Sequence, residues 1–345
     1  MDYQLIDKEI PIIILNWFGI EDTKECIDSL MLTAGVKFHI FLVDNNSGKD
    51  EQSELKQLFE HIEQITLIFN EENYGFARGN NEIIKKLLLN EKIEYVVLLN
   101  NDTVVTPSWL FNLVKSAKDN RASMVSSKMI NYYDRSIMDN AGHFMLNTAE
   151  ILPLAHGKSI DDFTQMFNNL GACGGAALYS SEMLREIGLF DPFFSTGYED
   201  AELGLRANML GYKTIFEPTA KIFHKVSRSI KKVRDDDYFI RIQRNIFYTY
   251  TKLMPTKYIL VNLIWILLKY VVLFILSILT LQIRIIKLHL KTIYRFFRYD
   301  LSHAITERKK MKQFNQIQSD TVKKIEFFLK TDLRRFFQLF KYAGD

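Results

Sequence analysis

The chain has 345 residues, 48% of them hydrophobic and 25% charged, with 15 Gly and 6 Pro; this excludes a mainly disordered, collagen-like or linker-rich polypeptide and allows about two domains. Two cysteines, Cys26 and Cys173, exclude a disulfide scaffold and a cysteine-based zinc site and fit a reducing compartment. The net charge of +3 is a cancellation: residues 256–345 hold 17 Lys and Arg against 6 Asp and Glu, whereas residues 1–255 hold 27 against 35. An acidic first part and a basic last part imply two jobs.

The first ten residues carry Asp2, Asp7, Lys8 and Glu9 and lack an apolar core, so no signal peptide is expected. Strands are predicted at Pro11–Asn16, Phe38–Asp44, Ile65–Phe69 and Tyr95–Asn100, and helices at Glu21–Leu32, Lys49–Ile62 and Phe76–Asn90. Continuous apolar strands alternating with helices read as a parallel sheet covered on both faces. Each strand ends in polar residues: Asn16, then Asp44-Asn45-Asn46-Ser47, then Asn70, then Asn100-Asn101-Asp102. Open α/β sheets bind ligands at that edge, so the four clusters predict one shared site.

From Ser123 to Phe223 the pattern is less regular. A small-residue run, Gly171–Ala177, precedes a loop, Phe190–Asp200, and a helix expected at Ala201–Leu210 with Gly211 as its C-cap. Thr214–Phe223 reads as a strand pair broken at Pro218. Tyr258–Ile283 is a 26-residue apolar run whose one charge is Lys269, long enough for a membrane span. Arg284, Lys287, Lys291, Arg295 and Arg298 follow at helical spacing as one cationic stripe. A last helical stretch, Thr321–Lys341, mixes Phe with Lys and Arg, the composition of an interfacial helix facing anionic headgroups.

Taken singly, the chemistry-bearing positions are ambiguous. Asp102 at a strand end suits a hard divalent cation, or an Asx turn. Asp44 can accept a hydrogen bond from a nucleobase, or open a helix. Gly75, Arg78 and Gly79 ahead of a helix suit a nucleotide, or a cap. Glu199-Asp200 can supply a general base, or cap a helix with favourable charge. His224 after a strand is a candidate metal ligand, or an exposed hydrogen-bonding residue. Cys173 has no evident base partner and reads as packing.

Their order and spacing are more specific. The stretches PIIILNW (11–17), FLVDNNSGKDE (41–51), NYGFARGNN (73–81), VVLLNNDTVVTPSWL (96–110), GACGGAALYSSEMLREIGLFDPFFSTGYEDAELGLRANMLGYK (171–213) and PTAKIFH (218–224) together resemble the family 2 glycosyltransferases of GT-A fold, among them the rhamnosyltransferase-like members. The resemblance implies a Rossmann-like, mostly parallel α/β/α sheet at 1–255, with a nucleotide half to about residue 120 and an acceptor half beyond it. The basic helical region, 256–345, would then associate with the membrane.

By the same resemblance, Asp44 recognises the base, while Asn16, Arg78 and Asn101 lie at the nucleotide. Gly174 and Gly175 admit donor or acceptor to the backbone. Asp102 and His224 hold Mn²⁺ or Mg²⁺. Asp200 is the catalytic base of an inverting transfer, supported by Glu199. Asn100 stands where the family's metal motif usually begins with Asp, making the site less anionic. The implied donor is dTDP-rhamnose or a UDP-hexose, and the acceptor a glycan or lipid-linked glycan of a bacterial cell-surface polysaccharide.

No nucleic-acid partner is expected. The expected location is the cytosolic face of the cell membrane, with the apolar run lying on the bilayer or spanning it; a helical dimerisation element, giving a homodimer, is the soluble alternative. Other readings are an inactive tethered nucleotide-sugar-binding protein, a sugar nucleotidyltransferase, a nicotinamide oxidoreductase and a processive polysaccharide synthase. The nucleotidyltransferase lacks its Gly-rich basic loop after the first strand, and the oxidoreductase lacks its G-x-G-x-x-G. The synthase would need a QxxRW motif and several spans; RIQRN (241–245) and one run stand here.

Overall fold

A computed structural model describes residues 6–195, 197–225, 235–311 and 325. The first part alternates as its sequence predicts: β1 (Ile6–Asn16), α1 (Ile20–Leu30), β2 (Val36–Asp44), α2 (Lys49–Phe59), β3 (Ile65–Phe69), α3 (Gly75–Leu88) and β4 (Tyr95–Leu99). These strands lie in the order β3-β2-β1-β4, all parallel. Ile10, Ile12, Ile13 and Ile14 are all buried, so β1 is covered on both faces and its side chains need not alternate in polarity.

The chain continues through β5 (Thr103–Val105), α4 (Trp109–Asn120), β6 (Met124–Asn131), β7 (Met138–Asn140), β8 (His143–Met145), β9 (Ile151–Pro153), β10 (Phe167–Asn168), β11 (Ala176–Ser180), α5 (Ser181–Ile187), α6 (Glu199–Met209) and β12 (Thr214–His224). The sheet grows past β4 as β11-β6-β12-β10, and among the described residues ten strands belong to it. β11 is antiparallel to both β4 and β6, whereas β12 runs parallel to β6. β8 and β9 form a separate hairpin.

One expectation changes here and one holds. Thr214–His224 is one strand, not a pair broken at Pro218. Pro218 falls within a register shift between Glu217 and Lys221, where its missing N–H costs no ladder bond. Gly211 does follow the helix with φ +90°, in the left-handed region that glycine adopts freely.

The C-terminal helices are α7 (Asp236–Leu253), α8 (Thr256–Leu279), α9 (Ile283–Arg295) and α10 (Leu301–Met311), with a π-helical turn at Phe296–Asp300. Asp235 caps α7 by accepting from the Tyr238 N–H at 2.7 Å. The apolar run is therefore not one rod: it stops at Leu279, turns at Leu281 (φ 55°) and restarts as α9. The cationic stripe is partly neutralised, since Arg284 pairs with Asp236 and Arg295 with Asp237. The stretch Thr321–Lys341 lies outside the described residues apart from residue 325.

The chain forms two compact units. The first comprises Met1–His143, Pro153–Asn208 and Tyr212–Arg228; the second comprises Phe144–Leu152, Met209–Gly211 and Ser229–Asp345. α7 thus belongs with the C-terminal helices, as does the turn of the β8–β9 hairpin.

Candidate functional site

The polar strand ends of the first unit are brought together, in three linked groups. The first centres on Asn16, which is 0% exposed. Its side-chain N–H group donates to Asp44 Oδ1 (3.0 Å), Ser47 Oγ (3.3 Å) and Glu51 Oε1 (2.8 Å), and its Oδ1 accepts from Thr23 at 2.8 Å. Asp44 is 1% exposed; its Oδ2 accepts from the Ser47 N–H at 3.0 Å and from Gln52 at 2.9 Å. Asn101 donates to Thr23 at 2.9 Å and to the Gly19 carbonyl at 3.4 Å. These bonds lock the ends of β1, β2 and β4 to one another, so buried polar groups are satisfied.

The second group surrounds Asp102, which is 6% exposed. Its Oδ1 lies 3.2 Å from His224 Nε2, yet it is buried without a hydrogen-bond partner. Asp139 Oδ2 holds the opposite imidazole nitrogen, His224 Nδ1, at 2.8 Å, while its Oδ1 faces His156 Nδ1 at 3.3 Å. A proton shared between Nδ1 and Asp139 leaves Nε2 to face Asp102, the arrangement by which a carboxylate orients a metal-binding histidine. Burial opposes the His224 cation, but Asp102 and Asp139 outweigh it and raise its pKa to about 10 in the absence of any ion. Burial likewise opposes the Asp139 carboxylate; the bonds from His156 and His224 still hold it below the usual carboxylate range.

One carboxylate oxygen and one imidazole nitrogen facing each other fit a divalent cation. Adjacent donors on an octahedral ion with bonds of ~2.1 Å sit about 3 Å apart. Among the described residues no three His, Cys, Asp or Glu side chains form a complete cage. The remaining positions would have to come from water or from ligand phosphates, which is how Mg²⁺ is commonly held.

The third group carries Asp200 at the start of α6. Its Oδ2 accepts from the Gly174 N–H at 2.9 Å and its Oδ1 from the Ala201 N–H at 2.8 Å, and the side chain is 20% exposed. Glu199 beside it is 5% exposed. The small-residue run explains this placement: a Cβ on Gly204 would stand 2.5 Å from Gly171 Cα, so α6 approaches the run backbone to backbone. A Cβ on Gly174 would meet Phe76 Cζ at 2.8 Å. Tyr198, immediately before the acidic pair, is held at φ 83°, a conformation costing a bulky residue on the order of 1–3 kcal/mol. Strain of this kind fixes the entry to α6. Gly175 accepts from the Asn100 N–H at 2.8 Å, tying this group to the end of β4.

Arg78 stands apart. It is exposed, pairs with Glu72 at 2.8 Å and stacks on Tyr74 at 3.6 Å. It touches none of the three groups through any bond described.

Four residues near the site carried no signal in the sequence. His143 Nε2 lies 3.8 Å from Asp200 Oδ2, with its Nδ1 buried and unbonded; burial lowers its pKa against the pull of Asp200. Tyr179 is buried nearby and its phenol is pushed well up by burial, then by Asp200. Asp139 and His156 complete the second group. The run Asp139-Asn-Ala-Gly-His143 is polar in sequence, and only the fold shows that it is buried throughout. Cys173 does have a neighbour, Asp200, but burial first and that carboxylate second push its thiol well up, so it stays an uncharged packing group.

Residues 12–188 match the family model described as Glycosyl transferase family 2. The O-antigen biosynthesis protein RfbC of Myxococcus xanthus is 26% identical over 228 residues, which is 63% of this chain; the chain spans 17% of that relative's length. Among solved structures, GalNAc-T7 with UDP, GalNAc and Mn²⁺ aligns with a TM-score of 0.54 at 14% identity, over 74% of this chain and 54% of its own. The mannosyltransferase PcManGT from Pyrobaculum calidifontis, in complex with GDP-Man and Mn²⁺, gives 0.52 at 15% identity, over 89% and 85%. At such identities the likeness is one of fold. The expected α/β architecture, GT-A with a helical C-terminal region, is the architecture found.

Proposed function

The chain belongs to glycosyl transferase family 2, and on that premise we propose that it transfers a single sugar from a nucleotide-sugar to a glycan or lipid-linked glycan during bacterial cell-surface polysaccharide synthesis. The reaction is inverting and metal-assisted. The observation that carries this reading is the buried line Asp102–His224–Asp139, with an unbonded carboxylate oxygen at its head. RfbC, a relative named for O-antigen biosynthesis, supports the polysaccharide setting. A dTDP-rhamnose donor is the first choice and a UDP-hexose the second.

Asp102 and His224 would hold Mn²⁺ or Mg²⁺, which when bound supplies positive charge to the leaving diphosphate. Asp139 keeps the His224 ring turned toward Asp102. Asn16, Asp44 and Asn101 form the rigid floor under the nucleoside, and Asp44, buried and bonded through both oxygens, would meet the base only with its remaining lone pairs. Gly174 and Gly175 offer backbone to the sugar, the space a side chain would need there being filled by Phe76, Asn100 and Met129. Asp200, steadied by two backbone N–H groups, accepts the proton of the acceptor hydroxyl as that oxygen attacks the anomeric carbon from the face opposite the leaving group. Glu199 supports it. The first unit is the catalytic body, with its nucleotide-binding half at about 1–120, and the helical region from 256 onward is the part that works at the cytosolic membrane surface.

A panel of nucleotide sugars in a thermal-shift assay with and without Mn²⁺ tests the reading. One donor is expected to raise the melting temperature only with the metal present. No response to any nucleoside diphosphate or its sugars would overturn it.

A further inference from the structure

The second unit is built the wrong way round for water. Along α8 the residues turned inward are Asn262, Lys269, Tyr270 and Ser277 among others, whereas Leu260, Ile264, Leu267, Val271, Ile275 and Ile278 are exposed. The polar groups face protein and the leucines face out, which is the pattern of a helix whose solvent is lipid. The exposed apolar surface continues past the turn to Leu281, Ile283 and Leu290. Beside it on α9 stand Lys287 and Lys291, both exposed, with no ion pair among the described residues. An apolar face bordered by free cations matches the chemistry of anionic lipid.

The inner face decides how the helix meets that lipid. Lys269 is 13 residues from Thr256, so its Cα is about 20 Å along the helix. Its ammonium is bonded to the Glu150 carboxylate and to the Thr148 carbonyl (3.2 Å), both on the turn of the β8–β9 hairpin. Tyr270 packs on Phe247 of α7 with ring centroids 5.9 Å apart, and Asn262 donates to the Tyr250 hydroxyl at 3.1 Å. α7 also carries Arg241, Lys252 and the ion pair Arg244–Asp300. If α8 crossed a bilayer, its midpoint would lie at the centre of the hydrocarbon. The hairpin turn and a helix with three cations would then have to lie there too, at several kcal/mol for each exposed polar group.

We propose that α8 does not cross the membrane but lies flat in the interface of an anionic bilayer, its leucine face in the acyl region and its Lys269–Glu150 face on the water side. This rests on the reading of the chain as an enzyme working at a membrane, and it adds the geometry. The acceptor headgroup would then be met at the depth of the surface, not within a channel.

Single-cysteine variants Leu260→Cys, Leu267→Cys and Ile278→Cys of the full chain, each carrying an environment-sensitive fluorophore, test it. They are added to phosphatidylglycerol–phosphatidylethanolamine vesicles brominated at known acyl depths. The unchanged chain gives the background from Cys26 and Cys173, and Cys26 is buried with its thiol pushed up to about 12. The three sites span about 27 Å of helix. A flat helix gives the same shallow quenching depth at all three. A deep Leu267→Cys flanked by two shallow sites, with Leu260→Cys and Ile278→Cys reporting from opposite leaflets, would overturn the flat geometry and leave the membrane reading standing. Failure to cosediment with vesicles, with the labels unquenched, would overturn both; a concentration-dependent dimer in that case would identify a second copy as what covers the face.

Discussion

The two units solve opposite problems with similar residues. In the first, the side chains of Ile12, Leu42, Val97, Trp109 and Leu178 are buried and the polar groups gather at strand ends. In the second, α8 hides Lys269, Asn262 and Ser277 and leaves its leucines out. The first unit puts its costly groups, Asp44, Asp102 and His224, where hydrogen bonds and a ligand can satisfy them. The second hides one ion pair to keep a helix apolar on the outside. The comparison teaches that burial alone does not identify a functional carboxylate. Glu150 and Asp102 are both buried, but Glu150 is closed by a lysine, whereas Asp102 faces an imidazole nitrogen, itself a candidate metal ligand.

The sharpest way to break that distinction is to change each carboxylate site. Asp200→Asn keeps the shape of the site and removes the base. Transfer is expected to fall by about 10³-fold or more while nucleotide affinity, measured by calorimetry with Mn²⁺, changes little. Near-normal turnover would remove Asp200 from the reaction. On the other side, Lys269→Ala leaves Glu150 buried without its cation, with the Thr148 hydroxyl as a remaining donor. It should destabilise the second unit by about 3–5 kcal/mol in denaturant unfolding, and a Lys269→Met/Glu150→Met pair should recover most of that loss. A double variant no better than the single one would mean that the ion pair does more than neutralise a buried charge.

A pH titration sharpens the same contrast. Burial, then the nearby Lys269, lowers the His289 pKa to about 4. Unfolded, this imidazole binds a proton below its ordinary value near 6.5, whereas folded it does not until about 4. Stability is therefore lost as the pH falls through that window, by roughly 3 kcal/mol in all. His289→Phe should flatten the dependence, read from unfolding midpoints between pH 7 and 4. A smaller effect is expected from Asp139→Asn: Mn²⁺ affinity should drop about 10–100-fold, since the His224 ring loses its partner, with donor affinity falling only when metal is present. An unchanged metal titration would take Asp139 out of the site. Smallest, Gly204→Ala forces apart the backbones of α6 and Gly171 and should cost about 1–3 kcal/mol.

Much of the first unit was legible in the sequence because its signals are local. The run PIIILN and its successors announce buried parallel strands, and the polar residue that ends each strand marks the site edge. Asp102 and His224 stand at or just after strand ends and Asp200 opens a helix, and it is the resemblance of the whole set of motifs that proposes their roles. What escaped depends on long-range approach. Asp139, His143 and His156 lie in a stretch without periodicity, and only folding brings Asp139 to His224 across 85 residues. Thr214–Phe223 looks broken in the sequence because Pro218 interrupts a local pattern, which a bulge in the sheet accommodates. In the second unit, composition revealed a long apolar segment but not its break at Leu281. Nor did it show that the lone Lys269 has a carboxylate waiting in a hairpin more than a hundred residues earlier.

A single displacement with Asp200 as the base inverts the anomeric carbon, and the stereochemistry of the released sugar reads that out. With Mn²⁺ and a nucleotide-sugar that stabilises the protein, slow donor hydrolysis followed by proton NMR, before mutarotation, should give the anomer opposite to that of the donor. Retention of configuration would contradict the account, because it requires a covalent intermediate or same-face attack that Asp200, acting as a base, does not provide.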